Sequence, residues 1–293
     1  MITIFTPTYN RQELLSRVYN SLCEQTNKNF EWIIVDDCSD DNTEGYISTL
    51  KNNKFNIRFY KLKNNSGKHV AYNLAIDKAY GDYFLCLDSD DYLKSNAIEI
   101  IEEYVLDSKG IGVIFPQIQN NKIDNSGWNK VDKKYIDVLD TNILYGIRET
   151  AIVIKTNILK KYHFPVFESN GIKEKFCPES VLYNRLVKEG KFLAVNKGFY
   201  VSEYQESGLS SKIRQTWLKN PKSVIEDLYL KYAVLSKYNI INQIVRKLTC
   251  ILELNAFCFK KKVNIFLVTP STILSILLFL PGIIFSYYRY KEE

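Results

Sequence analysis

The first 115 residues alternate between two hydrophobic periods. Ile2-Thr3-Ile4-Phe5-Thr6 is a short β-rich run, and Glu31-Trp32-Ile33-Ile34-Val35-Asp36 is almost unbroken apolar sequence. The second pattern is that of a strand buried on both faces of a parallel sheet. Asn56 to Leu62, Tyr83 to Leu87 and Ile111 to Phe115 give three further strands. Between them, Gln12 to Gln25 carries Leu14, Leu15, Val18 and Leu22 at helical spacing, while Gly67 to Ala79 and Ser95 to Leu106 also read as helices. This rhythm predicts an α/β fold with an open, mostly parallel sheet flanked by helices. Ligands of such sheets bind beyond the carboxyl ends of the strands, and the polar clusters of this chain fall there.

The pattern weakens after Phe115. Gln117 to Tyr145 is polar and yields no clear element; Ala151 to Lys155 reads as a strand, and Val181 to Lys188 as a helix entered after Pro178. Lys219 to about Lys260 predicts two helices broken near Tyr238-Asn239. Val263 to Tyr288 contains no charged residue, a length sufficient to cross a bilayer core of about 30 Å. Pro270 and the Pro281-Gly282 pair interrupt it, and Pro-Gly is a breaker. The expectation is therefore helices lying in the membrane interface, or a re-entrant hairpin, in preference to a full span, with a packed soluble helical pair as the alternative. Tyr287-Tyr288-Arg289-Tyr290 suits an interface. The domain expectation is a sheet domain over 1–215, divided into a nucleotide-binding half (1–115) and an acceptor half (116–215). A helical region follows over 216–293, with its apolar membrane-associating segment at 263–288.

Composition adds little that is specific. In 293 residues the formal net charge is +6, which suits an anionic partner without choosing among nucleotide, membrane and nucleic acid. Nucleic-acid binding has only this charge in its favour and is not expected. Arg246, Lys247, Lys260, Lys261 and Lys262 gather just before the apolar tail. Six scattered cysteines without a Cys-x-x-Cys pair read as small buried side chains in a reducing compartment. Met1 runs directly into a strand with no leader pattern, so the body is expected in the cytoplasm.

Four clusters carry candidate chemistry. Leu87-Asp88-Ser89-Asp90-Asp91 follows a buried strand. Three carboxylates so close repel one another unless a cation neutralises them, and Mg²⁺ or Mn²⁺ takes oxygen ligands shared with substrate phosphates. It is not a calcium loop of the EF-hand type, because the sixth and twelfth positions are Leu93 and Glu99. Asp36-Asp37-Cys38-Ser39-Asp40-Asp41 closes the second strand, where a carboxylate can accept from a base N–H or a ribose hydroxyl. Thr6-Pro7-Thr8-Tyr9-Asn10-Arg11 follows the first strand and can seat a nucleotide, with Asn10 as a helix cap the structural alternative. Asn64-Asn65-Ser66-Gly67-Lys68-His69 opens a helix, a position that favours anions. No Gly-x-Gly-x-x-Gly is present, which argues against a dinucleotide cofactor.

Taken in order over 91 residues, these motifs closely resemble the family 2 glycosyltransferases of the GT-A fold, in particular bacterial members that build surface polysaccharide such as O-antigen or capsule. The resemblance implies that Thr6, Thr8, Tyr9, Arg11 and Asp37 hold the nucleotide of a UDP-sugar. It implies that Gly67, Lys68 and Asn73 line the same pocket, and that Asp88, Ser89 and Asp90 meet the diphosphate. Asp88 and Asp90 then carry Mn²⁺ or Mg²⁺. A looser match at Phe176 to Arg185 implies that Glu179 is the catalytic base, although the family has Asp at that place. Glu203 to Ser210 resembles a tail motif of the surface-polysaccharide members. The Gln-x-x-Arg-Trp motif of processive synthases is missing, since Arg214-Gln215-Thr216-Trp217 has another order, so one sugar is expected per encounter.

The function these readings imply is metal-dependent transfer of one sugar, with inversion, onto a polyprenyl-diphosphate-linked glycan at the cytoplasmic face of the bacterial inner membrane. Trp128 is a candidate for stacking on a sugar, with packing the alternative. Two other readings are a sugar nucleotidyltransferase and a non-catalytic membrane scaffold that kept the fold. The first usually shows a Gly-rich basic N-terminal loop, and Thr6 to Arg11 has no glycine. Against the second stand intact carboxylates at Asp37, Asp88, Asp90 and Glu179.

Overall fold

The computed structural model describes residues 1–50, 54–119, 122–123, 125–169, 171–203, 212–235 and 240–290. Two compact units are present, one formed by 1–164 with 186–208 and the other by 165–185 with 209–293.

The first unit contains the large sheet. Its elements are β1 (Ile2–Thr8), α1 (Gln12–Cys23), β2 (Phe30–Asp36), α2 (Thr43–Thr49), β3 (Asn56–Lys61), α3 (Lys68–Lys78), β4 (Tyr83–Cys86), β5 (Tyr92–Leu93) and α4 (Ala97–Leu106). They continue with β6 (Gly112–Gln119), β7 (Lys122–Ile123), α5 (Asn125–Trp128), β8 (Tyr135–Ile136), α6 (Val138–Ile143), β9 (Thr150–Lys155) and α7 (Thr156–Leu159). In chain order the second unit then supplies β10 (Glu168–Ser169), β11 (Ile172–Lys173) and α8 (Glu179–Leu186). After it, β12 (Phe192–Ala194) and β13 (Tyr200–Ser202) return to the sheet.

The strand order is β3-β2-β1-β4-β9-β6-β12-β8, with β5, β7 and β13 attached beside it. β3, β2, β1 and β4 run parallel, as the alternation of apolar runs and helices predicts. The expectation of a mostly parallel sheet holds only for this half. β9 lies antiparallel to both β4 and β6, and β8, β5 and β7 also pair antiparallel, so the whole is a mixed sheet.

Side-chain alternation explains the layers. Ile2 and Ile4 of β1 point to one face, where Leu15, Val18 and Leu22 of α1 and Ile98 and Ile101 of α4 cover them. Phe5 points to the other, against Tyr72 of α3 and Phe84 of β4 at ring-centroid distances of 5.2 and 5.8 Å. All seven residues of β2 are buried, so charged Glu31 must find partners inside. It accepts from Thr3 Oγ1 at 2.7 Å and pairs with Arg58 at 2.8 Å. Strand β1 runs two residues past its expected end. Pro7 is tolerated there because β4 stops pairing at Cys86, opposite Phe5, so no ladder bond on that side is lost.

The second unit begins with the β10–β11 hairpin and α8, and is completed by α9 (Ile213–Lys219), α10 (Pro221–Val234), α11 (Ile240–Lys261), a 3-10 turn (Ile265–Leu267), α12 (Thr272–Leu277) and α13 (Phe279–Arg289). Residues 165–185 pack in this unit, whereas the sequence keeps them with the first 215. Asn220 Oδ1 accepts from the backbone of Lys175 and Phe176, and Glu174 accepts from the N–H groups of Lys222 and Ser223 at the start of α10. The expected break near Tyr238-Asn239 lies outside the described residues.

Among the described residues no helix is long and apolar enough to cross a membrane. Residues 263–288 are divided by two interruptions, but Pro281 is not one of them. It sits in the first turn of α13, where its missing N–H would have no helical partner. The break falls between α12 and α13, at Leu278.

Candidate active site

The carboxyl ends of β1, β2 and β4 meet the start of α3 in the first unit, and the motifs read from the sequence gather there. Asp37 is buried, and each of its oxygens is held: Ser66 N–H donates to Oδ1 at 2.6 Å and Gly67 N–H to Oδ2 at 2.7 Å. The end of β2 is thereby tied to the first turn of α3. Gly67 enters that turn at φ 95°, in the left-handed region that favours glycine. Asp36, fully buried beside it, accepts from Ser39 N–H at 3.0 Å and from the Ser39 hydroxyl. Thr8 is 3% exposed, and its hydroxyl has no partner among the described residues.

Two cations pair with the carboxylates of the Asp88-Ser89-Asp90 loop. Lys68 Nζ lies 2.7 Å from Asp88 Oδ1, and Arg11 Nη1 lies 3.0 Å from Asp90 Oδ2 and 3.4 Å from Ser89 Oγ. The first loop, the α3 start and the acidic loop are thus one cluster of alternating charge. Tyr9, at the end of β1, is exposed.

Asp91 has a different position. It is buried, accepts from the Tyr200 hydroxyl at 2.7 Å and from Glu203 N–H at 3.2 Å. Burial, then the neighbouring Asp88 and Asp90 charges, push its carboxyl up to about 7, against the pull of the Tyr200 hydrogen bond. Tyr200 also accepts from Asp88 N–H at 3.1 Å, so one phenol fixes both ends of the motif. Burial and the Asp88 and Asp91 carboxylates raise the Tyr200 hydroxyl well above its ordinary range, which keeps it a donor. Arg17 of α1 completes the hold, donating to the Asp90 carbonyl and pairing with Glu203. Neither Tyr200 nor Arg17 carries a motif in the sequence.

Several expected ligands have other roles. Thr6 is fully buried and its hydroxyl accepts from Trp32 Nε1 at 2.9 Å, so it braces β1 on β2. The Asn73 amide donates to Phe164 O at 2.9 Å and accepts from Phe164 N–H at 2.8 Å, holding that segment on α3. Asn10 does not cap α1. At φ 51° its Oδ1 accepts from Asp40 and Asp41 N–H, while Asp41 accepts from Gln12 N–H at the helix start. Trp128 is 4% exposed and belongs to the core, not to a sugar platform.

Glu179 opens α8 in the second unit, and the Tyr183 hydroxyl donates to it at 3.4 Å. The expected downstream arginine, Arg185, pairs with Glu226 at 2.6 Å, and Ser180 donates to Asp227 at 2.6 Å, so α8 is tied to α10. The tail motif from Tyr204 to Ser210 lies outside the described residues.

A family model described as glycosyl transferase family 2 matches residues 3–163. The poly(ribitol-phosphate) beta-N-acetylglucosaminyltransferase TarP of Staphylococcus aureus (strain N315) is 30% identical over 180 residues, covering 59% of this chain and 52% of TarP. The putative teichuronic acid biosynthesis glycosyltransferase TuaG of Bacillus subtilis (strain 168) is 34% identical over 107 residues, 36% of this chain and 42% of TuaG. The chain therefore spans about half the length of these curated relatives or less. Among solved structures, S. aureus TarS 1-349 in complex with UDP-GlcNAc superposes with a TM-score of 0.64 at 17% identity, over 99% of this chain and 92% of that one. The mannosyltransferase PcManGT from Pyrobaculum calidifontis, in complex with GDP-Man and Mn²⁺, gives 0.57 at 15% identity, over 99% and 81%. Both likenesses are of fold. With the family model covering more than half of its length, and the family's motifs clustered at the strand ends, the chain belongs to glycosyl transferase family 2.

Proposed function

We propose that this protein transfers a single sugar, with inversion, from a UDP-sugar to a hydroxyl of a cell-surface glycan precursor. The observation that carries the reading is the convergence of Asp37, Arg11 and Lys68 with the Asp88-Ser89-Asp90 loop at the ends of β1, β2 and β4. Two cations and two carboxylates at a strand-end crevice match a diphosphate and its counter-ion. The UDP-GlcNAc complex of TarS, and relatives named for poly(ribitol-phosphate) and teichuronic acid, support the donor and the polymer class.

The donor set also fits a divalent ion. Among the described residues no three His, Cys, Asp or Glu side chains form a self-sufficient cage. Two carboxylates are what Mg²⁺ or Mn²⁺ uses when phosphate oxygens and water supply the remaining ligands. Asp88 and Asp90 would hold it, and when bound it supplies charge neutralisation of the diphosphate leaving group. Arg11 and Lys68, now paired with those carboxylates, are placed to turn to the phosphates. Thr8, Tyr9 and Asp37 seat the nucleoside, and Tyr200 and Arg17 keep the acidic loop in position. Glu179 is the general base, taking the acceptor's proton as its oxygen attacks the anomeric carbon. A polyprenyl-diphosphate-linked glycan of the O-antigen or capsule type is the acceptor.

The test is UDP release from a panel of UDP- and GDP-sugars, with Mn²⁺ and with EDTA, beside Asp90→Ala. Slow metal-dependent release from one donor, lost in the variant, is expected. Absence of both release and metal-dependent UDP binding by calorimetry overturns the reading.

A further inference from the structure

The helices that end the second unit are built inside out. The face that α12 and α13 turn to α11 carries small or polar residues: Ser275, Gly282 and Ser286 are buried, and Asn255 of α11 donates to Ser275 O at 2.9 Å. A Cβ added to Gly282 would lie 2.6 Å from that of Asn255, so the backbones approach closely. Most of the large apolar side chains point the other way, although Phe285 of α13 packs against the cluster that holds Leu254 and Phe257 of α11. Leu267 is 82% exposed, Ile273 73%, Leu277 67%, Leu280 70% and Ile284 60%, with Tyr287 and Tyr288 also open at the end of α13. Helices in water bury their large apolar face, and small residues at the helix contact with large ones outside is the arrangement of helices in lipid. An exposed apolar patch of this extent marks an interaction surface.

Charge selects the occupant. No acidic or basic residue lies between Val263 and Tyr288, while Lys260, Lys261 and Lys262 stand at one margin and Arg289, paired with Glu253 at 3.1 Å, at the other. The same unit has a groove of about 770 Å³ lined by Phe167, Leu218, Ile225 and Val268, with Lys219, Lys222 and Lys261 outnumbering Glu226 among its charged residues. Apolar surface with a basic margin complements a bilayer whose headgroups are anionic. The broken helices cannot cross it, and tyrosines at the end of α13 match the headgroup level.

We propose that the C-terminal unit docks on an anionic lipid surface through α12, α13 and the turn before them, lying in the interface without spanning. This goes beyond the sugar-transfer reading and does not rest on it, because binding to lipid needs neither donor nor metal.

The experiment is co-sedimentation of the full chain, in EDTA and without nucleotide, with vesicles of phosphatidylcholine alone and of phosphatidylcholine with phosphatidylglycerol. The chain should bind the mixed vesicles and bind the neutral ones more weakly. Leu277→Glu/Leu280→Glu should leave it in the supernatant with its thermal midpoint unchanged, since both side chains face solvent. Ile284→Glu, further along α13, should weaken binding in the same direction. Lys260→Gln/Lys261→Gln/Lys262→Gln should lower affinity for the mixed vesicles on the order of 100-fold and leave the neutral ones unaffected. No binding to either vesicle, or binding that the glutamates do not change, overturns the proposal. So does a dimer by light scattering that the glutamates dissolve in a chain that ignores vesicles, for then the face holds a second copy.

Discussion

Replacing Asp91 by asparagine should flatten the pH dependence of stability. The buried Asp91 carboxyl ionises near 7 in the fold, against an ordinary 3.8. Between those values the folded chain holds a proton that the unfolded chain has released. Its contribution to stability is therefore full below about pH 4 and is lost as pH rises through about 7. The gap between the two values corresponds to about 4 kcal/mol in total, at about 1.4 kcal/mol per tenfold change in proton affinity. Between about pH 5 and about pH 7 the loss amounts to about 2 kcal/mol. The amide that Asp91→Asn introduces is isosteric with the carboxyl and does not titrate. The variant should therefore lack this loss while other groups titrate alike in both chains. Urea unfolding followed by tryptophan fluorescence, in EDTA over this range, reads the difference directly. Parallel stability curves for the two proteins would refute the placement of Asp91 as a buried neighbour of Asp88 and Asp90.

Three further outcomes follow from particular contacts. Thr6→Val should strand the buried Trp32 N–H and cost about 1–3 kcal/mol in unfolding free energy, yet leave UDP affinity by calorimetry within about twofold once folded. Gly282→Val forces α13 off α11 at Asn255 and should cost about 1–3 kcal/mol, visible as a lower thermal midpoint. Glu179→Gln should retain metal-dependent UDP binding and lose transfer by about 10²–10⁴-fold in kcat; unchanged kcat would remove Glu179 from the base role.

What the sequence reveals depends on the length of the element. The strands β1, β2, β3 and β4 and helices α1 and α3 are legible because each carries enough residues to display a period, and β2 is buried throughout. The direction of β9 is not, since Ala151 to Ile154 is apolar whichever way it runs. Most of the remaining strands are two or three residues long and show no period at all. At the site, Asp37, Asp88 and Asp90 stand out because charges directly follow strands, and Lys68 because it opens a helix. Thr6 departs from its expected role because β1 continues to Thr8, which places the Thr6 hydroxyl inside the sheet. Tyr200 gives no signal, being 112 residues from Asp88, whose N–H donates to its hydroxyl, in a strand of three residues. Asn73 lies within a legible motif, and only its partner, Phe164, shows that the amide is structural.

The antiparallel strand β9 also governs the order in which the chain can fold during synthesis. When β1 to β4 have emerged, the backbone groups of β4 that face away from β1 have no partner, because β9 is their neighbour. About 70 residues separate the end of β4 from the end of β9, which at ribosomal rates takes roughly 3–15 s. Throughout that interval the nascent sheet ends in an open, largely apolar edge, Tyr83-Phe84-Leu85-Cys86, the kind of edge that recruits other chains. Slowing translation between Gly112 and Thr150 should lengthen the exposure and increase reliance on chaperones.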